Sequence, residues 1–245
     1  MNPIPLPVEP SPLLTAGFVV LPFLLVVFWG WAAGHQASNP RRNRLIATAG
    51  MLFLLILTFI LGQQPFLHVF GAFPPPVLRL FGVGFLLTLA VGWSSVGRRL
   101  AAAVPLWLLV GFQAFRLPLE LLMARAHAEG LMPVEMSFHG RNFDIVTGLL
   151  ALPLSFALYR GYAGRRLVTL WNTLGLALLI NVVGTAVAIM PGDRQWLASE
   201  IPNVWVSYWP FIWLPSILVT SAQLGHILVM RRLRAEIRAR AESST

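Results

Sequence analysis

The chain reads as an all-α integral membrane bundle of seven transmembrane helices, with its N-terminus outside and its C-terminus in the cytoplasm. Three observations predict this. Of 245 residues, 57% are hydrophobic and 11% charged, against about 25% charged in a typical soluble domain. That much apolar surface calls for lipid rather than water as solvent. Seven apolar runs approach the roughly 20 residues that a spanning helix needs. The basic residues, every one an Arg, gather in alternate connections between those runs.

The runs cover 13–33, 45–62, 77–96, 101–122, 143–159, 167–190 and 204–229. The first follows MNPIPLPVEPSP, which lacks the basic n-region of a cleaved signal, so it reads as a retained anchor. Phe73-Pro74-Pro75-Pro76 forms a stiff, extended lead-in to the third. The fifth run is short and the seventh long, which predicts tilt or irregular ends there. Gly82, Gly84, Gly92, Gly175 and Gly184 would let the third and sixth helices approach neighbours closely.

Arg placement sets the orientation. Arg41, Arg42, Arg44, Arg98, Arg99, Arg160, Arg165, Arg166, Arg231, Arg232, Arg234, Arg238 and Arg240 lie on one side, and only Arg79, Arg116, Arg125, Arg141 and Arg194 on the other. The Arg-rich side is cytoplasmic by the positive-inside rule. Trp29, Trp31, Trp93 and Trp107 then fall near the inner interface, and Trp196, Trp205, Tyr208, Trp209 and Trp213 near the outer one. Residues 1–230 make the membrane domain. Residues 231–245 make a basic tail, read as an amphipathic helix on anionic inner-leaflet lipid, each Arg contributing about 1 kcal/mol. Clustering of Arg between apolar runs argues against a nucleic-acid partner. An Arg-only basic complement with abundant Ala, Leu and Gly points to a bacterial inner (plasma) membrane.

Ionisable groups at membrane depth are expensive and are therefore functional candidates. Gln113, Arg116, Glu120 and His127 share one helical face, and Arg116 and Glu120 are spaced for an i,i+4 salt bridge. The densest polar stretch follows, ending at Arg141, Asn142 and Asp144. Arg79 and Asp144 begin helices at a similar depth on the outer side. The expected ligand site is a cluster in the outer leaflet built from Arg116, Glu120, Asp144, Arg79 and Arg141. Salt-bridged packing is the competing reading of the same residues.

Other chemistries find little support. With no Cys, thiolate metal sites and disulfides are excluded. His68, His127 and His139 lie outside with several carboxylates, but their spacing fits no metal motif. His226 alone sits clearly within a span, so paired axial ligands for haem are missing. A retinal Schiff base needs a Lys, and there is none. No cofactor is expected.

The stretch Phe115-Arg116-Leu117-Pro118-Leu119-Glu120, followed by GLMPVEMSFHGRNFD, resembles a group of bacterial multi-pass membrane proteins with no assigned activity. The resemblance implies no mechanism. The function expected from the residues is binding, sensing or carrying a small molecule or lipid headgroup at the outward-facing cluster near helices 3, 4 and 5. A membrane hydrolase with an outer-face metal, and a structural subunit of a complex, are the alternatives.

Overall fold

The structure, a computed structural model, describes residues 2–192 and 195–242, without the side chain of Arg240. Arg194 of the outer Arg group and the last three residues of the tail lie outside the described residues. Among the described residues the chain is helical and has no strand. The helices are α1 (Pro12–Gly34), α2 (Pro40–Gly62), α3 (Pro76–Trp93), α4 (Ser95–Ala103), α5 (Leu106–Phe112), α6 (Arg116–Ala128), α7 (Ile145–Tyr159), α8 (Arg165–Ala188) and α9 (Thr220–Glu242).

Among the described residues, five stretches are long and apolar enough to cross a membrane: α1, α2, α3, Leu106–Ala128 and α8. Leu106–Ala128 joins α5 to α6 through a 3₁₀ turn at Gln113–Phe115. The fifth predicted run is α7, whose 15 residues extend about 22 Å at 1.5 Å per residue. That is less than the roughly 30 Å hydrocarbon core.

Three boundaries differ from the sequence reading, each for a local reason. Ser94 Oγ accepts from the Val96 and Gly97 amides and starts the separate helix α4, which carries Arg98 and Arg99. Pro105 stands just before α5, so the next long helix begins at Leu106 rather than 101 and runs on to Ala128. Residues 204–213 do not open the last span. They form a buried irregular segment with a 3₁₀ turn at Trp205–Ser207, and helix resumes as a π-helical stretch at Leu214–Val219 that leads into α9. Pro210 and Pro215 lack the amide hydrogens a regular helix requires there. α9 continues to Glu242, so the basic tail forms the last turns of this helix.

Large apolar side chains face outward, and a polar cluster is buried within a largely apolar core. Leu45, Phe53 and Ile56 of α2, Val83 and Leu86 of α3 and Leu170 of α8 are exposed, whereas Gln113, Arg116, Glu120, Asn142 and His226 are buried. This arrangement is compatible with hydrocarbon as the surrounding solvent. Trp29, Trp205 and Trp213, expected at the interfaces, are instead core residues, and Trp93 and Trp196 are exposed. Phe18 of α1 meets Trp205 and Phe211 edge-on, tying α1 to the irregular segment. The Trp29 Nε1–H donates to Ser221 Oγ at 3.3 Å, tying α1 to α9.

The two ends of the bundle are distinct. At one, the Ile4 amide donates to the His68 carbonyl and the Tyr208 hydroxyl to the Ile4 carbonyl. There too, Ser11 donates through its amide and hydroxyl to Glu129, joining the start of α1 to the end of α6. At the other, Arg231 donates to the carbonyls of Gly92 and Ser94, and Arg232 to that of Ala102.

The connection from α6 to α7 is folded partly inward, with Val134, His139, Arg141 and Phe143 left exposed. Leu131, Met132, Met136, Ser137 and Asn142 are all buried. Non-helical backbone survives among spanning helices only where the protein satisfies it. Here the Ser137 hydroxyl donates to the Val134 carbonyl and accepts from the His139 amide, the Arg141 amide donates to the Glu135 carbonyl, and Asn142 Oδ1 accepts from the Asp144 amide. The inward fold of this segment starts the short α7 deep in the bundle and sets the depth of Asp144.

Candidate functional site

Arg116 lies midway along the Leu106–Ala128 helix and is almost fully buried. Its guanidinium forms an ion pair with Asp144, in which Nε donates to Oδ2 at 2.7 Å. The expected partner, Glu120 on the same helix, is not the one it bonds. The inward segment brings Asp144 to the guanidinium, and Gly148 on α7 allows the approach: a Cβ there would stand 2.7 Å from the Leu117 amide nitrogen.

The other side of Arg116 faces α9. Nη1 lies 2.9 Å from His226 Nε2. A guanidinium only donates, so Nε2 must accept and carries no proton. His226 Nδ1 is then the protonated nitrogen and donates to Asn172 Oδ1 at 2.9 Å, while Asn172 Nδ2 donates back to the His226 carbonyl at 3.3 Å. His226 is therefore neutral. Gly175 on α8 makes room for its ring: a Cβ there would stand 2.8 Å from both Nε2 and Thr147 Cγ2. Gln113, one turn before Arg116, donates to the Ala222 carbonyl at 2.9 Å.

Glu120 is held differently. Asn142 Nδ2 donates to its two carboxylate oxygens, at 3.0 and 2.8 Å, and to the Met136 carbonyl at 2.9 Å. Among the described residues no cation pairs with Glu120. Beside it opens a pocket of about 640 Å³ of empty space, counting its mouth, between α3, α6, α8 and the π-helical stretch. Its walls are apolar, with Leu78 and Phe81 from α3, Val183 and Ala186 from α8, and Pro215 and Val219 from the stretch before and at α9. Glu120 and Asp144 are the carboxylates on its surface, and Arg116 does not line it.

Of the five residues predicted to form the site, Arg116, Glu120 and Asp144 come together and Arg79 and Arg141 do not. Arg79 is exposed and donates from Nε to the Pro74 carbonyl at 3.0 Å. Arg141 is exposed, and its backbone carbonyl accepts from Asn181 Nδ2 at 2.7 Å. Sequence reasoning missed Asn142, Asn172 and His226 as members. Each was visible as a polar side chain in or beside an apolar run, but nothing in the spacing joins residues on three separate elements. The helix that carries Arg116 also reaches further than the predicted run, to Ala128 rather than 122, so Arg116 lies mid-helix.

The outer histidines stay apart from the cluster. His68 Nδ1 lies 3.0 Å from Ser207 Oγ, and its ring stacks on Tyr208 with centroids 3.7 Å apart. Burial holds the His68 imidazole below its ordinary value. His127 Nδ1 lies 3.1 Å from the Met132 carbonyl, and His139 packs against Phe138. Among the described residues no three of His, Asp and Glu come together as metal ligands.

No curated protein and no solved structure matches the chain. One protein family matches residues 74–234, from the proline lead-in of α3 to the first turns of the basic tail, so the whole buried cluster lies inside it. The chain belongs to the family described as Domain of unknown function (DUF8737).

Proposed function

We propose that this protein is a multi-pass inner-membrane protein that binds, senses or carries a small apolar molecule or lipid in the pocket beside Glu120. The observation that carries the reading is a buried carboxylate at the surface of an otherwise apolar pocket, with no cation of its own. A group so costly to bury marks function by default, and an apolar pocket with few polar groups is the usual form of a ligand site. Arg116 then acts as a support: it fixes Asp144 and is itself oriented by His226.

In this proposal the chain crosses the bilayer seven times, with α7 and the stretch from the π-helical segment into α9 added to the five long apolar helices. Two features support it. The N-terminal segment bonds His68, just before α3, and Arg231 bonds Gly92 at the end of α3, which is compatible with an odd number of crossings. The Arg-rich connections fall at the end that holds Arg231, which by the positive-inside rule is cytoplasmic.

The test is mass spectrometry of small molecules that co-purify in mild detergent, comparing wild type with Ala186→Trp, which fills the pocket from α8. A molecule retained by wild type and lost from the folded variant is expected. Identical profiles from the two proteins would remove the pocket as a binding site.

A further inference from the structure

The charge count around the pocket names a ligand class. Three groups in the cluster can carry charge besides His226, which is neutral by its hydrogen bonds: Arg116, Asp144 and Glu120. Arg116 bonds Asp144 and acts on Glu120 only through space, where the Asp144 carboxylate opposes it. Glu120 receives only the neutral amide of Asn142. The elements around it bring no further charge: α8 and the π-helical stretch give the pocket apolar side chains, and the nearest Arg of α3, Arg79, is turned to the Pro74 carbonyl. An ionised carboxylate buried without a paired cation is strongly disfavoured, which favours a ligand that brings one.

The surroundings say what kind of cation. A metal ion would need several oxygen or nitrogen ligands, and the walls here are Leu, Val, Phe, Met and Ala side chains. They suit an alkyl body attached to the charge. The pocket is lined from both α3 and α8, and α3 carries exposed Val83 and Leu86 elsewhere on its length.

We infer that the pocket takes the ammonium end of an amphiphile, either a lipophilic amine or an ammonium-headed lipid, with Glu120 as its counter-ion and a proton released as it binds. The inference rests on the pocket reading above. In the balanced step the Glu120 carboxylic acid gives its proton to water, and the carboxylate so formed pairs with the ammonium. No covalent bond of the ligand changes.

The test uses the full chain in dodecyl maltoside micelles, which carry no ammonium group. The probes are dodecyltrimethylammonium and dodecanol, matched in chain length, with adducts read by native mass spectrometry and affinity by calorimetry. The ammonium probe is expected to bind one to one and at least about tenfold more tightly than the alcohol. Its affinity is expected to rise with pH, approaching tenfold per unit while Glu120 is protonated. Glu120→Gln should bind the two probes alike with no pH slope, and Ala186→Trp should bind neither. Lysophosphatidylethanolamine against lysophosphatidylglycerol separates the sources: preference for the former makes the natural ligand class a lipid headgroup, and indifference makes it a free amine. Equal affinity of wild type for the ammonium probe and the alcohol, or a flat pH profile, overturns the inference and leaves the pocket standing. Failure of wild type to bind either probe overturns both. The wild-type comparison decides the matter even if Glu120→Gln does not fold.

Discussion

One amide nitrogen of Asn142 spans both carboxylate oxygens of Glu120, at 3.0 and 2.8 Å. The same side chain accepts the Asp144 amide through Oδ1. Asn142 therefore joins the two acids of the pocket through one residue of the inward segment. Asn142→Leu keeps the volume and removes these bonds and the one to the Met136 carbonyl, leaving a buried donor and buried acceptors unmet at a cost of about 1–3 kcal/mol each. The expected result is a lower Tm in micelles for Asn142→Leu. An unchanged Tm would mean that Asn142 does not hold the segment.

The Arg116–Asp144 pair should behave as a unit. Removing either partner leaves a buried charge, with a cost of about 3–5 kcal/mol. Arg116→Met and Asp144→Leu are each expected to lower stability strongly, and the double variant by clearly less than the sum of the two. Additive losses in that double-mutant cycle would mean that the pair is not coupled.

The hydrogen-bond directions around His226 are open to spectroscopy. Nitrogen-15 spectra of labelled protein should show Nδ1 protonated and Nε2 bare, and this pattern should hold across neutral pH. Arg116→Met, where it folds, should free Nε2 and allow a mixture of tautomers. A doubly protonated ring in wild type would contradict the geometry.

Two glycines of α8 should respond in opposite ways to the same change. Gly175→Ala places a methyl against the His226 ring and Thr147 and is expected to destabilise by about 1–3 kcal/mol. At Gly184 a Cβ meets no atom within 4 Å, so Gly184→Ala should be neutral or gain up to about 1 kcal/mol from helix propensity. Parallel thermal melts of the two variants check this.

His68 predicts a pH dependence at the end of the bundle away from Arg231. Burial keeps its folded-state value below the ordinary 6.5. The unfolded chain therefore binds the proton first, and stability rises with pH in that window. The contribution of neutral His68 is complete above about pH 6.5 and declines as pH falls toward the lower folded value. His68→Asn should flatten the Tm profile below pH 6.5 relative to wild type. A profile with the same slope in both proteins would assign that dependence to another group.

Much of this was legible in the amino acids, and what was not has physical causes. Apolar runs located the helices because burial in lipid leaves no choice of composition. Arg116, Glu120 and Asp144 stood out because charge among apolar residues is rare. Depth was harder to read. Arg79 reads as level with the cluster because it begins the third run, and Arg141 because it stands next to the start of the fifth. Once the segment 129–144 turns inward, Asp144 goes with it and Arg141 stays exposed. The run at 204–229 also misled, since residues 204–213 are apolar enough for helix yet are packed as a core segment around Trp205 and Phe211. His226 and Asn172 could be seen singly, but only the packing of α8 on α9 makes them partners.

The inward segment between α6 and α7 also constrains the order in which the molecule is made. Its outer bonds go to groups synthesised later: the Asn181 side chain donates to the Arg141 carbonyl, and the Ser199 hydroxyl to Glu135. Arg116 likewise waits for His226. A chain cut short before its last third therefore lacks the partners of these groups, and its polar interior is left open on the side that α8 and α9 cover.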